Sequence, residues 1–474
     1  MTRWISHKPL LASAALFAFS GIATAQPAPV AAPAAEAAPT APPAEPTPPA
    51  EPTPPAPAAE QPAAPTPAAP ATVVPTTPAT PATPANTSSP AVGAGLPASD
   101  PNGDPVTEAP QGDRIEAKFG KGVTFHSDAG NLRLQLRGRI QPRFTSAVTD
   151  GESAINEMII RRARLMFLGR FLDAWELYLQ LGFSVQDNEA DNYNPLRDAT
   201  ITYAGLRDLS VRFGQMKVPF DRQRTTSSSA LEFTDRSIVM SELTLDRDVG
   251  FQFFSDDVAG LGGILGYNVG LFGGDGRNRR ADNPGMMWVA RVWTSPFGSF
   301  DPNVEADIGR EDKFRLALGA AAAQNFQSVR SRSTSADTYE FSTFDYTHLT
   351  ADLTIKWRGL FWLSEVLYRK ADRPSNTEVI DGASITEYSR SGWGFFTQAG
   401  YMWTDHLETA ARYGELRPLE PTDPDFVGDR EVGGAVSWYF LKHDLKVTAD
   451  YFYLQPLDQG PETHQFRLQS QLFF

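Results

Sequence analysis

The stretch Leu132 to Phe144 reads Leu-Arg-Leu-Gln-Leu-Arg-Gly-Arg-Ile-Gln-Pro-Arg-Phe, and no other part of the chain limits the fold as tightly. Its period is two. Leu132, Leu134, Leu136, Ile140 and Phe144 take one side, while Arg133, Gln135, Arg137, Arg139, Gln141 and Arg143 take the other. Such a strand separates an apolar medium from water. In a soluble sandwich the arginine face would merely be solvated, but here the alternation recurs down the chain with no helical stretch between. The pattern predicts an all-β fold, a transmembrane antiparallel β-barrel of about 16 strands with a wet, basic lumen.

Further strands are expected near Met158 to Arg170, Trp175 to Val185, Thr200 to Tyr203, Leu209 to Lys217, Val249 to Phe254, Ile264 to Phe272 and Met287 to Thr294. The series continues near Lys313 to Ala322, His348 to Trp357, Leu360 to Lys370, Trp393 to Trp403, Leu407 to Leu416, Val432 to Phe440, Leu445 to Leu454 and His464 to Phe474. Short links such as Arg358-Gly359 alternate with long ones such as Asn325 to Tyr346, as expected of periplasmic turns and extracellular loops. Ser295 to Asp312 breaks the alternation, being long where a short link is due. It is either an extended turn or a sign that the strand count is off by two. Arg162, Arg164 and Arg170 share the polar parity of their strand, whereas Arg161 falls on the apolar parity and is expected near a headgroup boundary. Trp357, Trp362, Trp403, Trp438 and Tyr439 suit interfacial girdles. The closing strand ends on Phe474, which resembles the terminal signal of bacterial outer-membrane barrels.

Composition divides the chain in three. Residues 1–25 carry Arg3 and Lys8, an apolar run and then Ala23-Thr24-Ala25, a signal peptide too short to span a membrane. Residues 26–110 are almost wholly Ala, Pro, Thr and Glu, with little to bury, so a disordered, semi-rigid periplasmic tether is expected there. Residues 111–474 hold the barrel. The chain has no cysteine, which excludes disulfides, thiolate metal sites and a thiol nucleophile. A net charge of -14 argues against nucleic acid as a partner. Many acids lie in predicted loops and the tether, however, so bulk charge and lumen charge can differ in sign.

Specific residues resemble a family. Arg161-Arg162-Ala163-Arg164-Leu165 with Gly169 and Trp175-Glu176, then Phe213-Gly214-Gln215-Met216-Lys217-Val218-Pro219-Phe220, then Arg247-Asp248-Val249-Gly250-Phe251-Gln252 are similar to the phosphate-selective porin O and P family. That resemblance covers about Gln111 to Phe474. It implies a homotrimer of sixteen-stranded barrels in the outer membrane, a long third loop folded into each lumen, and an arginine ladder leading phosphate to a lysine-rich constriction. Val218 to Asp248 occupies the place of that loop and carries Arg222, Arg224, Arg236 and Arg247. Lysine departs from the family pattern, because Lys217, Lys313, Lys356, Lys370, Lys442 and Lys446 are scattered.

Guanidiniums in a narrow aqueous pore attract anions, and their planar forks match phosphate. Arg133, Arg137, Arg139, Arg143, Arg162 and Arg164 are the candidate anion path. The same arginines could instead form a neutralised network with Glu232, Asp235, Glu242, Asp246 and Asp248 of the long connection. The expected function is a passive porin for small anions, phosphate or polyphosphate among them, in contact with membrane lipid and with no cofactor. The alternative is a structural anchor whose tether engages the cell wall. A Ser/His hydrolase on the barrel wall, using His348 or His406, finds no catalytic constellation to support it. The histidines show no metal-ligand spacing, and Gly273-Gly274-Asp275-Gly276-Arg277 opens no helix, so it is expected as a loop tip.

Overall fold

The computed structural model describes residues 113–127, 130–188, 193–280 and 285–474. The expected signal peptide and tether lie outside the described residues. A small hairpin comes first, β1 (Arg114–Lys118) and β2 (Gly122–His126). Then follow β3 (Leu132–Thr149), β4 (Ile155–Phe171), β5 (Trp175–Gly182) and β6 (Leu196–Leu206). Next are β7 (Leu209–Lys217), β8 (Arg247–Ser255), β9 (Leu265–Phe272) and β10 (Met287–Thr294). After β11 (Arg315–Ser328), β12 (Phe344–Trp357) and β13 (Leu360–Ala371) a second hairpin, β14 (Ser375–Ile380) with β15 (Ala383–Tyr388), stands in a loop. The wall resumes with β16 (Gly392–Met402), β17 (Leu407–Pro418), β18 (Asp429–Leu441), β19 (Leu445–Pro456) and β20 (Thr463–Phe473).

Every wall strand pairs antiparallel with its neighbours, and β20 pairs back onto β3. The result is a closed barrel of sixteen strands, β3 to β13 and β16 to β20, so the expected count holds. Closure removes both sheet edges, which an open sheet in lipid could not satisfy. The seam is completed beyond β20, where the Phe474 N–H donates to the Gly138 carbonyl at 3.0 Å and the Gly138 N–H to the Phe474 carbonyl at 2.7 Å. Gly138 fits because a Cβ there would lie 2.3 Å from the Phe474 ring. Below that point β2 takes over the pairing, from Val123 opposite Leu136 to His126 opposite Arg133.

Period two becomes two faces. On β18, Val432, Val436, Trp438 and Phe440 are exposed outward while Ala435, Ser437 and Tyr439 are buried inward. Trp357, Trp362, Trp403 and Trp438 are exposed, as girdle residues must be, but Tyr439 is fully buried. It corrects the girdle assignment: parity aims it at the lumen, where its hydroxyl donates to Glu408. Arg161 is a second correction. Gln141 pairs with Arg162 and Pro142 with Ile160, which leaves Arg161 as the extra residue of a β-bulge. Proline lacks the N–H that a regular ladder uses, and the bulge turns two consecutive arginines to the same side. Arg161 therefore reaches an acid in the lumen instead of a headgroup.

The connections at one rim are short, such as Arg358-Gly359, and the chain enters and leaves the barrel there. The other rim carries the long loops. Two segments fold inward. The connection between β7 and β8 forms two short helices, α1 (Arg222–Thr225), capped by Asp221, and α2 (Ile238–Leu243), capped by Ser237. Val239, Met240 and Leu243 of α2 join Phe361, Leu363, Phe396 and Leu416 of the opposite wall in one buried cluster. From the short-turn rim, the link between β10 and β11 pushes back into the lumen, burying Glu305, Ala306 and Asp307. Ser295 to Asp312 is thus an extended turn with a packing role, and the strand count stands.

Candidate functional site

A cavity of about 1260 Å³ remains between the inward loop and the wall formed by β3 to β10. Sixteen strands enclose enough space for such an aqueous gap. Among the described residues, fifteen cationic side chains line it against nine carboxylates. Local charge thus opposes the sign of the whole chain.

The loop carboxylate Asp235 sits under three wall arginines. Arg162 reaches it at 3.0 Å, Arg161 at 3.2 Å, and Arg143 also bonds to it. Burial pushes the Asp235 carboxyl up, but Arg161, Arg162 and Arg143 outweigh burial and hold it well below the usual range. Asp187, in a 3-10 turn of the connection after β5, takes Arg164, whose Nε approaches at 3.0 Å, and Arg197 at 3.2 Å. Asp198 receives Arg247 through two parallel bonds of 3.0 Å. These pairs are compensated.

Other cations bond to neutral groups. Arg139 donates to the Ser228 hydroxyl at 3.1 Å. Arg236 donates to the carbonyls of Gln223 at 2.8 Å and Thr226 at 2.7 Å, and Lys217 to those of Thr225 and Thr226 at 3.0 and 3.1 Å. Arg212 holds the Thr202 hydroxyl at 2.9 Å and lies over the Phe254 ring. A carbonyl has partial charge only, so these groups keep most of their field for the cavity.

The sequence-predicted residues therefore divide. Arg137, Arg139, Arg162 and Arg164 line the cavity together, Arg137 with Asp444 at 3.5 Å. Arg143 is bound up with Asp235, and Arg133 lies toward the short-turn rim, opposite Arg170 and His126. Of the loop candidates, Arg222 bonds Asp352 and Asn303 at 3.0 Å, Arg224 bonds Asp246, Arg236 is carbonyl-bound, and Arg247 proves to be the first residue of β8. Arg161, Arg197, Arg212 and Arg277 also line the cavity, outside the predicted anion path. Extending the fourth strand back to Leu196 by its alternation would have found Arg197; the bulge hid Arg161. Among the described residues, Lys217 is the cavity's one lysine.

The loop is clipped from below. Glu305, on the inward turn, accepts the Glu232 N–H at 2.8 Å, the Gln398 amide at 2.9 Å and the Gln223 amide at 3.3 Å. Glu232 is fully buried, and burial together with Glu408 and Glu305 pushes its carboxyl well above the ordinary range. Gln398, Tyr439 and Lys446 complete its surroundings. The folded state thus holds a proton that the unfolded chain releases near pH 4.3, roughly. That contribution is fully present below the unfolded value and is lost as pH rises through the raised one. The unfolding temperature is expected to fall from pH 6 to pH 9 more steeply in the wild type than in Glu232→Gln, measured side by side; equal slopes would refute the assignment.

His348 comes within 3.0 Å of the Ser333 hydroxyl, yet both are fully buried. No substrate can reach them. No group of three or more His, Cys, Asp or Glu among the described residues could hold a metal ion.

Residues 134–474 match the phosphate-selective porin O and P family. This chain belongs to that family. As a member of this porin family it is a passive outer-membrane channel. The sequence matches none of the curated proteins. Solved structures similar to the porin include the outer membrane channel DcaP of Acinetobacter baumannii, 13% identical over 74% of this chain and 99% of that one, with a TM-score of 0.48. An anion-selective porin from Comamonas acidovorans is 13% identical over 72% of this chain and 100% of that one, with a TM-score of 0.47. OmpF of Salmonella typhi, in complex with daunomycin, is 14% identical over 72% and 98%, with a TM-score of 0.47.

Proposed function

We propose that this porin passes small anionic solutes and disfavours cations. The excess of cationic over acidic side chains around the cavity carries that reading. Low-dielectric walls focus the field of such an excess onto the ion path. The arginines have two jobs in this account. Arg143, Arg161 and Arg162 hold the loop through Asp235 and Arg164 holds the turn after β5 through Asp187, while Arg139, Arg212, Arg236 and Lys217 supply the attraction. Each site is weak, so an anion handed between them can leave.

Short turns face the periplasm in the proposed orientation, with residues 26–110 as a tether on that side after removal of residues 1–25. A homotrimer is the assembly the family resemblance implies. The test is the reversal potential of the purified protein in a planar bilayer under a KCl gradient. Anion preference is expected, with a marked loss in Arg139→Gln/Arg236→Gln, two of the cavity arginines that bond neutral groups. Cation preference in the wild type would refute the proposal. Phosphate is the first solute to compare with chloride.

A further inference from the structure

Arg139 stands beside an apolar strip. In register across the wall, Arg137 lies opposite Met166, Gln135 opposite Leu168, and Leu168 opposite Tyr178. Met166, Leu168 and Tyr178 all line the cavity, as does Phe473, whose ring lies 4.7 Å from the Arg137 guanidinium carbon and 5.5 Å from that of Arg139. Met166 shares the inward parity of Arg162 and Arg164, so the strip continues the arginine row toward the short-turn rim. The Tyr178 phenol accepts from Gln180 at 2.6 Å and keeps its own proton to donate. The Arg139 Nε, buried, finds no acceptor among the described residues.

A path for bare inorganic anions gains nothing from thioether, leucyl and aromatic surface, which cannot replace water around a phosphate. The cavity, at about 1260 Å³, has room for an organic solute beside the ion path. Apolar wall with a few converging polar donors is instead the composition of a small-molecule site. Resting on the anion channel proposed above, we infer that this wall is a subsite for a carboxylate with an apolar body, an aromatic or alicyclic acid. The carboxylate meets Arg139, with the Tyr178 hydroxyl as a second donor, and the body lies along Met166, Leu168 and Phe473. Glu176, Asp256 and Asp301 line the cavity nearer the short-turn rim and repel the carboxylate from that end, which favours its seat beside Arg139.

The experiment uses the purified full-length porin in planar bilayers carrying chloride current. Benzoate, cyclohexanecarboxylate, acetate and inorganic phosphate are added in turn, and the concentration that halves the current is recorded. Benzoate and cyclohexanecarboxylate are expected to act at concentrations at least tenfold below acetate and phosphate. Leu168→Thr and, independently, Met166→Thr should weaken the two apolar acids severalfold while shifting phosphate less than twofold. Arg139→Gln should weaken all four. Phosphate or acetate acting at the same concentration as benzoate, or threonine variants that shift all four solutes alike, would overturn the inference and leave the anion channel standing. A cation-preferring reversal potential would overturn both.

Discussion

Replacing Asp235 by asparagine raises the anion-to-cation permeability ratio several-fold and lowers the temperature at which the barrel unfolds. Arg143, Arg161 and Arg162 share this single carboxylate, and all four side chains are no more than 22% exposed. Removing its charge leaves three cations facing the cavity edge. One unit charge about 10 Å from the ion path, at an effective dielectric of about 40, contributes about 0.8 kcal/mol, about fourfold in a partition ratio. Breaking a buried ion pair costs about 3–5 kcal/mol, less here because water reaches part of the cluster. Reversal potentials in KCl gradients and heat-induced unfolding of the purified barrel measure the two effects. An unchanged permeability ratio would show that these arginines do not feel the ion path.

Glu305→Ala has a comparably large effect by a different route. It leaves the buried Glu232 N–H without its acceptor, at a cost of about 1–3 kcal/mol, and takes one of two acceptors from each of the Gln398 and Gln223 amides. The loop then loses its support from the short-turn side. Open-channel noise should rise and mean conductance should grow by about half or more as the loop samples positions away from the wall. Single-channel recordings at fixed voltage check it. A quiet channel of wild-type conductance would mean that Asp450, which accepts from Thr234 at 2.8 and 2.9 Å, holds the loop unaided.

Period-two alternation survives in sequence because lipid and water impose it residue by residue, so all sixteen wall strands were legible. What failed were features set by a partner elsewhere in the chain. Thr200 to Tyr203 was drawn too short because Arg197 and Asp198, polar and inward, interrupt no visible apolar row; β6 begins at Leu196. Arg161 was misplaced because a single proline on the neighbouring strand shifts its parity. The hairpin of β14 and β15 carries a readable signal, Asp381-Gly382 between the two strands, in a connection outside the predicted wall strands. The opening hairpin of β1 and β2 precedes the first strand that the alternation predicts. As for the site, the arginine face of β3 was legible, but which arginines carry counter-charges was not. Asp187, Asp198 and Asp235 meet their partners only after the chain has gone round the wall.

The inward loop is anchored to strands made long after it. Its Leu231 carbonyl accepts from Lys446 and its Thr234 bonds Asp450, both on β19, the second-last strand. Those partners lie about two hundred residues further along the chain, so the loop has no complete seat until β19 has joined the wall. Seating the loop and sealing Phe474 against Gly138 therefore both depend on the C-terminal strands. A chain stopped before β19 would lose its closing strands and, with them, the loop that shapes the pore.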